Sequence, residues 1–203
     1  YFESEGRALV FGDVTGFEGD RSVACDTLEY VEATDVVTLD GNASYRDSTG
    51  TTSADVIRLF RRQNVAVCYV NVRFEDADGA VELTAGRLVY DFDRKEGRAS
   101  RGPRLVTRGD DGEVDGTLTA EVIEFRQAGE SLVAFGSVVI EREEIVARSR
   151  TAILEESGRM VLEGDPQVDR GGDSLTGERI LVFGRDGEIS RVTALDEARA
   201  LYH

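Results

Sequence analysis

Few side chains in this 203-residue sequence have the type and company that chemistry needs. The one histidine, His203, is the last residue. With no scaffold around it, it supports neither a histidine-activated nucleophile nor a histidine metal site. Cys25 and Cys68 form no C-x-x-C, so a zinc or redox motif is absent. They read as small core residues, although pairing stays open to them in an oxidising compartment. Asp76, Asp78 and Gly79, like Asp110, Asp111 and Asp115, have the composition of a calcium loop without its spacing, and turn chemistry accounts for them. Forty acidic residues guarantee chance carboxylate pairs, so no glycosidase-type dyad can be singled out. The expectation is a protein with no catalytic residues, no metal and no cofactor.

The 40 Asp+Glu stand against 24 Lys+Arg, a net charge of −16. A domain this acidic has no electrostatic footprint for a phosphate backbone, so nucleic acid is not an expected partner. Basic residues do cluster at Arg58, Arg61 and Arg62, and at Arg94, Lys95, Arg98, Arg101 and Arg104. They read as outward charges on hairpins, with phosphate contact at the mouth of a groove as the other reading. Hydrophobic residues make up 40% of the chain, enough to build a core. With 22 Gly, 2 Pro and no Trp, the composition suits short extended segments joined by tight turns. No apolar run approaches the ~18 residues of a membrane span and no leader precedes the first strand, so the chain is either cytosolic or has lost a leader.

The elements that would carry these side chains repeat. Val23-x-Cys25-x-x-Leu28-x-Tyr30, Leu83-x-Ala85-x-x-Leu88-x-Tyr90, Leu118-x-Ala120-x-x-Ile123-x-Phe125 and Leu175-x-Gly177-x-x-Ile180-x-Val182 share one template. Thr52, Ala54, Ile57 and Leu59 fit it with a polar first position, and Ala147, Ser149, Ala152 and Leu154 fit it weakly. The small residues fall at 25, 54, 85, 120, 149 and 177, a period of 28 to 35 residues. A second template alternates with the first and steps by two through a central glycine: Val37, Leu39, Gly41, Ala43, Tyr45; Leu132, Ala134, Gly136, Val138, Ile140; Met160, Leu162, Gly164, Pro166, Val168. This is the pattern of a half-buried strand. Ala66 to Phe74 places Val70 in the glycine slot, Ala8 to Val14 is an earlier copy, and Val192 to Ala198 a degraded last one. In the unit holding Gly102, Pro103 and Leu105 shift the apolar frame by one.

Within the first template the step from Cys25 to Leu28 is three, which in an uninterrupted strand would put its two apolar pairs on opposite faces. A bulge or bend at every copy keeps them all inside, and a sheet bent at each copy folds over on itself. Hairpin turns are expected at Ala77-Asp78-Gly79, Asp110-Asp111-Gly112, Glu156-Ser157-Gly158 and Arg185-Asp186-Gly187. Outward positions carry Asp26, Glu29, Arg58, Arg87, Glu121, Glu124, Glu178 and Arg179. Only Leu195 to Leu201 has any helical character. The chain opens partway through a repeat, which predicts further repeats upstream.

Strands such as Thr84-Ala85-Gly86-Arg87-Leu88-Val89-Tyr90, the runs Gly158 to Gly164 and Leu175 to Ile180, and the glycine strand Leu162 to Val168 give the chain its likeness. It resembles the OstA-like, or LptA-type, family of periplasmic lipopolysaccharide-transport proteins, which includes LptA, LptC and the N-terminal part of LptD. The resemblance implies an all-β, elongated, repeat-built β-jellyroll of antiparallel strands, V-shaped with an open apolar groove, spanning residues 1–203 as one domain. It also implies a carrier that shields the acyl chains of lipopolysaccharide or a similar lipid, and edge strands that join it to other β-jellyrolls or to its own copies. The groove residues expected are Leu28, Tyr30, Leu39, Ile57, Leu59, Leu88, Tyr90, Ile123, Phe125, Val138, Leu154, Leu162, Ile180 and Val182. Location in the periplasm follows from the resemblance. The competing expectation is a structural or adhesin-like β-solenoid acting as an interaction module, which would pack its interior solid where a carrier leaves a groove.

Overall fold

The computed structural model describes residues 2–4, 6–126, 131–155, 157–185 and 188–202. His203, Glu156 and the Asp186-Gly187 turn lie outside them. The chain divides into two compact units, Tyr1–Arg101 and Gly102–His203.

In the first unit the period-2 segments form an antiparallel meander: β1 (Phe2–Ser4), β2 (Arg7–Glu18), β3 (Arg21–Val31), β4 (Val36–Asp47), β5 (Gly50–Phe60), β6 (Val65–Asp76), β7 (Val81–Asp91) and β8 (Glu96–Ser100). One 3-10 turn, Arg61–Gln63, follows β5. Register aligns the template positions into rows across the strands. Leu28, Leu39, Ile57, Cys68, Leu88 and Ala99 stand side by side, as do Tyr30, Val37, Leu59, Ala66, Tyr90 and Gly97. Beyond the bend runs a third row, Val23, Tyr45, Thr52, Phe74 and Leu83. Each fully buried Leu or Ile in such a row contributes roughly 1.5–3 kcal/mol.

The bend is present in every copy, but the extra residue sits in the strand facing the three-step, not in the three-step strand itself. Gly41-Asn42 in β4 stand opposite the single residue Asp55, and Val70-Asn71 in β6 opposite Gly86. Both members of each pair are left-handed, with φ of 75° and 48°, and of 61° and 51°. This is a β-bulge, and it turns the strand sharply. The glycine slot is therefore a requirement for positive φ. Gly12-Asp13, Gly136-Ser137, Gly164-Asp165 and Asp196-Glu197 repeat the same left-handed pair. So do Arg101 and Gly102, at 66° and 71°. Gly102 is thus the second member of its pair, and the apparent frame shift at Pro103 and Leu105 disappears, with Leu105 pairing with Leu118 in the ordinary interior row.

The second unit contains β9 (Arg104–Arg108), β10 (Val114–Thr119), β11 (Val122–Arg126), β12 (Ser131–Arg142), β13 (Ile145–Leu154), β14 (Arg159–Glu163), β15 (Gln167–Arg170), β16 (Asp173–Thr176), β17 (Arg179–Arg185), β18 (Glu188–Leu195) and β19 (Arg199–Leu201). Here most bends interrupt the strand outright, so that β14 and β15, or β16 and β17, are the two halves of one template. The halves assort into two half-sheets hinged through β12 and β13. One runs β9, β10, the end of β12, the start of β13, β15, β16 and β19. The other runs β11, the start of β12, the end of β13, β14, β17 and β18. The helical character expected at Leu195 to Leu201 is not formed. β18 ends at Leu195, the left-handed pair turns the chain, and Leu201 pairs with Ser174 in β19. A single backbone turn at Asp196 serves the sheet ladder better than one isolated helical turn would serve itself.

Both cysteines are free and buried. Burial pushes the Cys68 thiol up to about 12. The aspartates with calcium-like composition serve the backbone: Asp76 accepts from the Val81 N–H at 2.9 Å and Asp111 from the Glu113 N–H at 3.0 Å.

Candidate functional site

In the second unit the two half-sheets face each other across an apolar cavity of ≈ 240 Å³. One wall presents Leu105, Leu118, Ile140, Ala147 and Val168, the other Leu132, Ala152, Leu154, Met160, Val182 and Val192. The walls are aliphatic because each template supplies its inward positions with Leu, Ile, Val, Met or Ala. Polar groups occur at the hairpin end of the cavity. There Arg142 donates from Nη2 to both carboxylate oxygens of Asp115, at 2.9 and 2.7 Å, and Thr117 donates to Glu141 at 3.4 Å. Such a space can hold hydrocarbon and has no nucleophile–base pair in its lining.

The first unit treats the corresponding space differently. A more polar opening of ≈ 500 Å³ is lined by Val23, Leu28, Val37, Leu59 and Tyr45 together with Arg21, Arg61, Asn64 and Phe92. Aromatic rings close part of it. Phe92 packs on Tyr90 edge-on at 5.1 Å and on Tyr45 at 5.6 Å, and the Arg21 guanidinium lies 5.9 Å from the Phe92 ring centre. The Tyr45 hydroxyl is buried without a well-formed hydrogen bond. Burial first, and the Asp47 carboxylate second, push it up to about 12.

The expected groove residues divide between bend and mouth. Leu39, Ile57, Ile123, Leu162 and Ile180 are completely buried at the bends, with Val138 and Leu88 nearly so. Leu28 and Leu59 line the opening of the first unit, and Leu154 and Val182 line the cavity of the second. Leu154, Met160 and Val182 are register neighbours on adjacent strands. Tyr30, Tyr90 and Phe125 are half-buried. Tyr30 donates to Asp35 at 3.2 Å. The opposite wall, from Leu105 to Val168, was missed apart from Val138 at its bend. Its signal was the first apolar position of the first template, which Leu118 and Ala147 occupy, and the last of the second, which Ile140 and Val168 occupy. The basic clusters are outward: Arg58 lies over the Tyr69 ring at 5.8 Å, and Arg61 and Arg62 reach Asp35 at 3.9 and 4.0 Å.

Bulged antiparallel strands in which every copy bends about one left-handed pair define the LptA-type β-jellyroll class of fold. No protein-family model and no curated protein sequence matches the chain. Among solved structures, it is similar to LptH, the LptA-homologous periplasmic component of the lipopolysaccharide transport device of Pseudomonas aeruginosa. The match has a TM-score of 0.52 at 17% identity and covers 61% of this chain and 94% of LptH. The shared feature is the fold.

Proposed function

We propose that the protein is a periplasmic carrier or bridge element that shelters the acyl chains of lipopolysaccharide, or of a similar lipid, on the way to the outer membrane. The observation that carries this reading is the aliphatic cavity between the half-sheets of the second unit. Each methylene moved into it from water contributes roughly 0.8 kcal/mol, so hydrocarbon needs no polar contact to stay. The likeness to a lipopolysaccharide-transport component supports the same reading, and supports a transport role over a catalytic one.

Joining to other β-jellyrolls, or to copies of the same chain, would use open edges. β1 pairs with residues 7–9 of β2, and from Val10 onward β2 is paired to β3 alone among the described residues. That edge carries Phe11 and Phe17, 54% and 82% exposed. An unpaired edge with exposed aromatics is ready for strand addition. Solid packing at the bends favours a second reading, the structural solenoid, in which the cavity has no occupant. Photo-crosslinkers at Leu154 and Met160 decide between them. In a Gram-negative host they should capture lipid, whereas one at exposed Arg148 should not. Equal capture at all three sites would remove the carrier reading.

A further inference from the structure

The cavity of the second unit also constrains its occupant. At ≈ 240 Å³ it exceeds the ~150 Å³ apolar cavity that holds a benzene ring and falls short of the ~300–1,000 Å³ of sites that enclose a drug-sized ligand. That is room for one hydrocarbon chain and not for several side by side. Its walls have no aromatic ring, and Met160 supplies an adaptable surface between Leu154 and Val182.

The mouth sets the charge of the head. Arg142 lines the cavity, but both carboxylate oxygens of Asp115 hold it, so its charge is already matched. Glu141 stands beside it. The adjoining hairpin ends carry Asp110, Asp111 and Glu113 before β10, and Glu143 and Glu144 between β12 and β13, all exposed. Arg108 and Arg170 are the basic residues at these ends, which leaves a net negative rim. A cleft rimmed by one sign of charge repels a ligand of that sign over about a Debye length.

We infer that the second unit seats a single acyl chain of a lipid whose head carries no net negative charge, zwitterionic or neutral. This rests on the carrier reading and narrows it away from multiply phosphorylated lipid. The test is calorimetric titration of the full chain with two lysolipids of the same acyl chain below their micelle concentrations, lysophosphatidylcholine and lysophosphatidylglycerol. The phosphocholine lipid is expected to bind one per chain, and about fivefold or more tighter than the phosphoglycerol lipid at low salt. The gap should close near ~0.5 M salt, and the double substitution Glu143→Gln, Glu144→Gln should narrow it. Affinity should rise about fourfold per added methylene until the cavity is full and then level off.

Ala152→Phe, which fills the cavity, should abolish binding. Should that variant not fold, Leu154→Ala, which enlarges the cavity, should move the levelling point to longer chains. Binding of neither lysolipid, with no displacement of a naphthylamine dye, would overturn this inference and the carrier reading together. Equal or tighter binding of the phosphoglycerol lipid at low salt, or two or more lysolipids per chain, would overturn this inference and leave the carrier reading standing.

Discussion

Asn71 holds Asp55 across a bend: its Nδ2 donates to the two carboxylate oxygens at 3.0 and 3.1 Å. One repeat earlier Asn42 does the same to Asp26, at 3.3 and 3.0 Å. In the second unit Arg150 closes the same junction on Asp165 with the roles of charge reversed. The residue after each small template position therefore has a fixed task. It covers the left-handed pair on the next strand, and a Cβ at Gly41, Gly136 or Gly164 would run into the side chain of Asp26, Glu121 or Arg150.

Val70 is the exception among these slots, a β-branched residue at φ 61° and 49% exposed. The left-handed conformation costs such a residue about 1–2 kcal/mol, while glycine gives back ~0.5–1 kcal/mol in chain entropy. Val70→Gly is expected to raise stability by roughly 0.5–1 kcal/mol, read as a higher urea midpoint. Gly41→Val should lower it by more than that. A destabilised Val70→Gly would show that the slot does not select for positive φ.

The solid bend and the open mouth should answer differently to truncation. Ile57 is completely buried between Leu39 and Cys68, so Ile57→Ala should cost about 2–5 kcal/mol. Leu154 is half-buried and already borders empty space, so Leu154→Ala should cost no more than about 2 kcal/mol. Equal losses in chemical denaturation would mean that the cavity is filled in solution by its own walls.

Periodicity carried most of this architecture. Steps of two with a three-step at each small residue announce a sheet bent once per repeat, and Asp-Gly and Ala-Asp-Gly segments mark the hairpins. Which strand holds the extra residue was not legible, because a phase break reads the same in one strand whether the bulge lies there or opposite. The split strands of the second unit were also hidden. Pro103 and Pro166 each follow a left-handed pair and are buried, and lacking an N–H they cannot continue the ladder there. For the site, residues after the bend such as Leu154 and Val182 were legible as inward. That Leu105, Leu118 and Ile140 form the facing wall depends on how the half-sheets close, which no local pattern encodes.

Tyr45 gives the fold an alkaline limit. Its folded pKa, about 12, stands above the ordinary 10, so the folded state holds the phenolic proton more tightly than the unfolded chain. The stabilisation from this difference is complete below pH 10 and is lost as pH rises towards 12. Tyr45→Phe removes a hydroxyl that has no well-formed hydrogen bond. It should match or exceed the parent in stability at neutral pH and lose less between pH 10 and 12. A loss above about 1 kcal/mol at neutral pH would show that the hydroxyl does make a good bond in solution.

Charge sets the last expectation. Forty acidic residues face 24 basic ones, of which Lys95 is the sole lysine. The ion pairs that form are mostly exposed, such as Arg7 with Glu29 at 2.6 Å and Arg148 with Asp169 at 3.0 Å, and such pairs contribute only about 0–1 kcal/mol each. Self-repulsion among the excess carboxylates acts over longer distances and opposes the compact state. Salt shortens the range of both, from ~30 Å at 0.01 M to ~3 Å at 1 M, and the repulsion, being the longer-ranged of the two, weakens more. The unfolding midpoint should therefore rise as sodium chloride is added from low concentration, most steeply below ~0.3 M, where the screening length is still changing fast. A midpoint that falls with salt over this range would mean that the exposed Arg–carboxylate pairs outweigh the repulsion, and that the acidic coat is locally neutralised.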